Sequence, residues 1–136
     1  MAAPTVILQT IHEDENNIMV KIVIPSGGDA DVSLVNVLDV STFTVGRTVT
    51  QLGVHHLFAS LDNLAVRLYW DATTDVEFYH IGAYSNLARE AIDSEYGTIR
   101  NNAGTGVTGD ILLSTRGISG TNSVGGTVII HAHKLY

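Results

Sequence analysis

Ile18-Met19-Val20-Lys21-Ile22-Val23-Ile24 decides how this chain folds. Successive side chains of an extended backbone point to opposite faces. Ile18, Val20, Ile22 and Ile24 therefore share one face and Lys21 lies on the other. Pro25-Ser26-Gly27-Gly28 ends the strand. Upstream, Thr5 to His12 reads as a second strand, and the polar run Glu13 to Asn16 turns one into the other. The chain opens on a hairpin, with Pro4 in a short N-terminal arm.

The same reading extends outward. Val32 to Val40 is a third strand, with Val32, Leu34, Leu38 and Val40 on one face and Asn36 interrupting it. Val54 to Leu61 and Leu64 to Asp71 follow, and Asp62-Asn63 between them suits a tight hairpin turn. In the latter strand Leu64, Val66, Leu68 and Trp70 face the core, while Arg67 and Tyr69 face solvent or a partner. Ala72-Thr73-Thr74 turns the chain into Asp75 to Ile81. Between Gly82 and Asn102 two readings stand: a short helix capped by Ser85 and running through Ala91, or a long excursion between strands. Asn101 to Gly109 is a Gly/Asn/Thr loop. Asp110 to Arg116 and Thr127 to Leu135 are the last strands. About eight strands at this spacing predict one all-β domain over residues 1–136. The expected architecture is a jelly-roll-like β-sandwich, with an immunoglobulin-like sandwich as the alternative.

Composition agrees. The 136 residues are 45% hydrophobic and 15% charged, with 13 glycines. A domain near this size buries about two-thirds of the surface its unfolded chain exposes, enough for a core without covalent staples. With no cysteine, disulfides, thiolate metal sites and cysteine nucleophiles are excluded. Seven Lys+Arg against 14 Asp+Glu give a formal charge of -7. Phosphate backbones are bound through clustered Lys and Arg, so no nucleic-acid partner is expected. Met1-Ala2-Ala3-Pro4 carries no basic stretch, and no apolar run approaches the roughly 20 residues of a membrane helix. No export signal and no membrane partner are expected.

The residues able to carry chemistry are six histidines and a few carboxylates. His131 and His133 share one face of a strand, so both imidazoles can reach one metal ion. Cupins, which are jelly rolls, use a His-x-His of this kind, followed by a Glu and a later His. Here only Lys134, Leu135 and Tyr136 follow. His55 or His80 would have to supply a third ligand. Two ligands fall short of the three or four that zinc needs, so no metal and no cofactor are expected. His55-His56 are adjacent, and adjacent strand residues point opposite ways, which places them poorly for joint chelation. Asp71 and Asp75 flank a turn, where Asp bonds nearby backbone. Asp93 with Glu95 is the other carboxylate pair considered for acid–base work. Asp29 and Asp31 lack the loop pattern of a calcium site. Gly104-Thr105-Gly106-Val107-Thr108-Gly109 lacks the Lys-Ser/Thr ending of a phosphate loop and precedes a strand, so it reads as a flexible loop. No catalytic set assembles, and no enzyme is expected.

Three stretches carry a family resemblance: Val66-Arg67-Leu68-Tyr69-Trp70-Asp71-Ala72-Thr73-Thr74-Asp75-Val76, Asn101-Asn102-Ala103-Gly104-Thr105-Gly106-Val107-Thr108-Gly109-Asp110-Ile111, and Thr127-Val128-Ile129-Ile130. Their order and spacing resemble small virion structural proteins of tailed bacteriophages, over roughly the second half of the chain. The resemblance implies a non-enzymatic particle component made in the host cytoplasm. Small β-sandwich proteins of phages commonly decorate, or cement, the capsid as trimers on its surface. The implied partners are the major capsid protein and further copies of this chain. Other small β modules of phages sit in tails, collars or fibres. Arg67, Tyr69, Tyr79 and Tyr84 are the candidate interface residues. Outside this family, two alternatives are a carbohydrate-binding module using Tyr69, Tyr79 and Tyr84, and a cupin-like metalloprotein using His131 and His133.

Overall fold

The computed structural model describes residues 5–25, 30–62, 64–81, 87–88, 99–118 and 124–135. Ten strands are seen among them: β1 (Ile7–Glu13), β2 (Asn17–Ile24), β3 (Val35–Leu38), β4 (Gln51–Asp62), β5 (Ala65–Trp70), β6 (Val76–Ile81), β7 (Leu87–Ala88), β8 (Ile99–Arg100), β9 (Ile111–Arg116) and β10 (Gly125–Leu135). A single 3-10 turn, Val40–Thr42, follows β3. Asp39 caps it by accepting from Ser41 N at 2.9 Å. Among the described residues no helix is long and apolar enough to cross a membrane.

The strands form two antiparallel sheets. One runs β1-β2-β10-β4-β7, with β8 also on β4; the other runs β3-β9-β5-β6. Beyond β1, the chain crosses from sheet to sheet except at the β5-β6 hairpin and between β7 and β8, and the resulting strand order is that of a jelly roll. β2-β10-β4-β7 and β3-β9-β5-β6 are its two layers, and β1 extends the first at its edge. The expected all-β sandwich is therefore seen, in its jelly-roll form rather than the immunoglobulin one.

The core lies where the inner faces meet. Ile18, Val20, Ile22 and Ile24 of β2 are buried as the alternation requires, opposite Leu68, Trp70 and Leu113 of the smaller sheet. Trp70 is fully buried, and its ring stacks on Phe78 with centroids 4.2 Å apart. The buried hydroxyl of Thr115 is paired on both sides. Thr115 Oγ1 accepts from Val32 N at 2.8 Å and donates to Asp31 Oδ1 at 3.2 Å.

Three local expectations are corrected. Asp62-Asn63 does not make a hairpin, because β4 and β5 belong to different sheets. β4 pairs with β10 along its whole length, from Asp62↔Gly125 to Gln51↔Leu135, and with β7 and β8 on its other side. β5 lies instead between β9 and β6 in the smaller sheet. The third strand is shorter and phased differently. Leu34 is exposed, with a positive φ of 46°, while Val37 and Leu38 are buried on either side of a bulge. Asn36 is there for a polar reason: its Nδ2 donates to Asp110 Oδ2 at 3.0 Å, and Asp110 Oδ1 accepts from Val40 N. Lastly, of the two readings for this segment the helix is excluded at Leu87 and Ala88, which pair with Asp62 and Leu61 as a strand. Ser85 and residues 89–91 lie outside the described residues.

Candidate functional site: a histidine face on the larger sheet

The outer face of the larger sheet carries rows of side chains fixed by the pairing register. One row is His12, Met19, His131 and His56, from β1, β2, β10 and β4. The next is Gln9, Lys21, Ile129 and Phe58. On β10, Val128, Ile130, Ala132 and Lys134 point inward and are buried, which turns His131 and His133 outward together. Their shared face was legible from spacing alone.

His55 and His56 correct the expectation made for them. His131 pairs with His56 and Ala132 with Val54, so His55 is the extra residue of a β-bulge. A bulge sets two residues of one strand against one of its partner. The inward set on β4 is Leu52 and Val54 before it, then Leu57, Ala59 and Leu61 after it. The alternation changes phase between them, and both imidazoles emerge on the outer face. That phase change is visible in Leu52-Gly53-Val54-His55-His56-Leu57-Phe58-Ala59 as even-numbered apolar residues giving way to odd-numbered ones. It was the missed signal.

The bulge builds a quartet. Ring centres lie 4.3 Å apart for His55–His56, 4.8 Å for His55–His133, 5.4 Å for His56–His131, 5.5 Å for His55–His131 and 5.6 Å for His131–His133. His56 Nδ1 and His131 Nδ1 are 3.2 Å apart, in rings within 5° of parallel. His131 Nε2 sits 3.0 Å from Asn17 Oδ1. An amide oxygen only accepts, so His131 carries its proton on Nε2 and its Nδ1 lone pair accepts from His56 Nδ1–H. Burial lowers the His131 pKa, and the neighbouring His133, His56 and His55 lower it further against the opposing pull of Asp14. Burial likewise lowers His133, followed by His55 and His56. Both are neutral at pH 7 and can offer a nitrogen lone pair.

The remaining histidines stand apart. His12 Nε2 contacts Asp14 Oδ2 at 2.8 Å. That contact, with the Asn16 amide, holds the Asp14 carboxyl far below the usual carboxylate range. His80 lies exposed on β6 in the other sheet, paired with Arg67, and supplies no ligand to the quartet.

The interface candidates separate as well. Arg67 and Tyr69 are half-buried on the outer face of the smaller sheet. Arg67 Nε is 3.6 Å from Glu77 Oε1, and Ser114 Oγ donates to Tyr69 Oη at 3.4 Å. Tyr79 pairs with inward-facing Leu68 and packs against the core, so it does not share an exposed platform with Tyr69. Tyr84 lies outside the described residues, as do Asp29, Asp93 and Glu95. Asp71 and Asp75 serve their turn: Asp75 Oδ1 accepts from Ala72 N at 3.1 Å, and Asp71 Oδ2 accepts from Thr108 Oγ1 at 2.7 Å. The Gly104–Gly109 loop is tied to that turn by Thr73 N to Thr105 O and Thr108 N to Asp71 O.

A second feature lies at the sandwich margin. Beside β1 lies a cleft of about 310 Å³ whose lining is mixed, with Leu8, Val20, Val37 and Phe43 on its apolar side and Glu13, Asn36, Asp39 and Thr42 on its polar side. The long edge of β1 away from β2 has no strand beside it among the described residues. Ile7, Leu8 and Ile11 are 53%, 46% and 48% exposed.

The fold and the two surfaces define a jelly-roll β-sandwich with a histidine face and an open apolar edge. No protein-family model matches the chain, and comparison with curated proteins and with solved structures returns no match.

Proposed function

We propose that this chain is a structural protein of a tailed-phage particle that binds the outside of the capsid as a decoration, or cement, protein and acts without catalysis. The observation that carries the reading is strand β1. It holds three large aliphatic side chains about half exposed, on an edge that no strand among the described residues pairs, beside a cleft of mixed polar and apolar lining. An edge of this kind is a template for pairing with a strand of another chain. The jelly roll suits the role because it is a rigid scaffold also used by viral capsid proteins. The likeness of residues 66–76, 101–111 and 127–130 to phage virion proteins points the same way. The partners are the major capsid protein and two further copies of this chain.

The mechanism is mass action. A protein that binds the assembled shell and not its free subunits stabilises the shell by roughly 2.7 kcal/mol per site at a hundredfold excess over Kd. Repeated over many sites, that resists heat and internal pressure.

Capsids lacking this protein, mixed with the purified chain and sedimented, provide the test. Saturable co-sedimentation and a raised disruption temperature are expected. Ile7→Lys with Ile11→Lys places charge on the edge and should weaken binding at least tenfold while leaving the fold intact, since neither side chain is in the core. Light scattering should report a trimer. Absence of capsid binding, together with cross-links to a tail protein, would move the chain to the tail and overturn the proposal.

A further inference from the structure

We propose that His55, His56, His131 and His133 form a binding site for one divalent transition-metal ion of the imidazole-preferring class, with zinc as the type, on the outer face of the larger sheet. The site is independent of capsid binding.

Four imidazoles from two adjacent strands are an uncommon investment in one patch. Alternation alone delivers His131 and His133. The β4 bulge adds both His55 and His56, where regular pleating would turn one of them into the core. Zinc and its neighbours bind imidazole nitrogen at about 2.0–2.1 Å. A tetrahedral shell of that size has nitrogens about 3.3 Å apart and ring centres about 5 Å apart. Five of the six ring pairs have centres between 4.3 and 5.6 Å, which brings the four rings within the span of one such shell.

Two details give the cluster the protonation that ligands require. His131 Nε2–H donates to Asn17 Oδ1, which orients the ring and leaves Nδ1 as the ligand atom. A ligating histidine characteristically donates its other ring N–H in this way. His55 Nδ1 is buried and has no hydrogen-bond partner. An orphaned buried nitrogen is unfavourable, and a metal bond satisfies it. Burial and mutual repulsion keep His131 and His133 in the neutral form that binds metal.

As the side chains stand, no three such donors among the described residues are set to hold an ion. The His56 and His131 rings are nearly parallel and share a proton between their Nδ1 atoms. An ion at this site would require both rings to turn about their side-chain torsions and would take the place of that proton. Asp14, Asn17 and Lys21 are the nearby polar and charged groups on β2 and its turn. Asp14 favours a cation there. The ion would bridge the two long central strands β4 and β10 and act as a structural cross-link.

The test uses the full chain stripped with chelator, titrated with zinc chloride and, separately, nickel chloride. Calorimetry should give one ion per chain, and the thermal midpoint should rise. Binding should weaken at least tenfold between pH 7.5 and pH 5.5, as the imidazoles protonate. Asn17→Ala, which removes the partner of His131 Nε2 and a hydrogen bond to Asp14 Oδ1, should cost about tenfold in affinity, and His131→Gln or His55→Gln should cost more. His80→Gln and His12→Gln should change nothing. Nitrogen chemical shifts should move for the quartet and not for His12 or His80. Melting temperatures of the metal-free variants at pH 7.5 show that each remains folded, which separates loss of metal binding from loss of the fold. Zinc binding unaltered in the His131→Gln and His55→Gln variants, several weak ions per chain, or no binding at 100-micromolar-scale zinc (about 0.1 mM, weaker than structural sites) would each overturn the site.

Discussion

Lys134 Nζ lies 2.8 Å from Glu13 Oε2, with the lysine side chain wholly buried and the glutamate 14% exposed. The ammonium also donates to the Val45 carbonyl at 2.8 Å and sits 5.2 Å from the centre of the Phe43 ring. Glu13 in turn accepts from Thr44 N and Val45 N. One ion pair thus ties the end of β10 to β1 and to the loop after the 3-10 turn. Both charges have their hydrogen bonds filled, the condition under which a buried pair is tolerated.

Removing one partner should be costly. Lys134→Ala leaves a desolvated carboxylate, and a loss of about 3 kcal/mol is expected. Glu13→Gln strands the ammonium and should cost a similar amount. The double variant Lys134→Met with Glu13→Leu should recover much of the loss, because an apolar pair has no desolvation penalty. Urea midpoints of the four proteins check this. A double variant no more stable than either single variant would contradict this.

The same pair makes stability depend on acid. Burial raises the Glu13 pKa, but the Lys134 hydrogen bond and charge and the two backbone amides outweigh it and bring it below the ordinary value. The fold therefore prefers the ionised form. Its contribution is complete above the ordinary glutamate pKa of about 4.3 and is lost as pH falls through the lower folded value. Urea midpoints between pH 6 and pH 2.5 should fall, and Glu13→Gln should flatten part of that fall. An unchanged slope in the variant would place the acid sensitivity elsewhere.

The histidine quartet adds a second pH window. His131 and His133 have lowered pKa values in the fold, so the unfolded chain binds these protons first. Stability is complete above the ordinary histidine value of about 6.5 and declines as pH drops toward the folded values. In metal-free protein, the melting temperature should fall between pH 7.5 and pH 5.5. His131→Gln with His133→Gln should remove most of that fall. An equal fall in the double variant would contradict the assignment.

Two glycines of the Gly104–Gly109 loop should answer differently to alanine. Gly109 has φ +90°, and an added Cβ would lie 2.5 Å from the Thr50 carbonyl oxygen. Strain and collision together should cost about 2 kcal/mol or more, since even the left-handed backbone alone costs about 1–2. At Gly104 nothing lies within 4 Å and φ is not positive. Alanine there should be neutral or stabilising by about 0.4–1 kcal/mol, through the unfolded chain. Thermal melts of the two variants make the comparison, and equal effects would mean the loop is not held as described.

What was legible in the chain is what the pleat decides locally. The alternation of Ile18 to Ile24, Leu64 to Trp70 and the last strand determined an all-β fold, the core position of Trp70 and the common face of His131 and His133. A two-residue period is a property of each strand and needs no partner. The tertiary structure alone decided which edges meet. β4 took β10 rather than β5 because eleven residue pairs along β10 outbid a two-residue turn. That pairing located the bulge that gathers His55 and His56 with His131 and His133. It also carried Lys134 to Glu13, 121 residues away. Register and bulges arise from competition among distant strands for hydrogen bonds and buried surface, and a local pattern holds no record of its distant competitors.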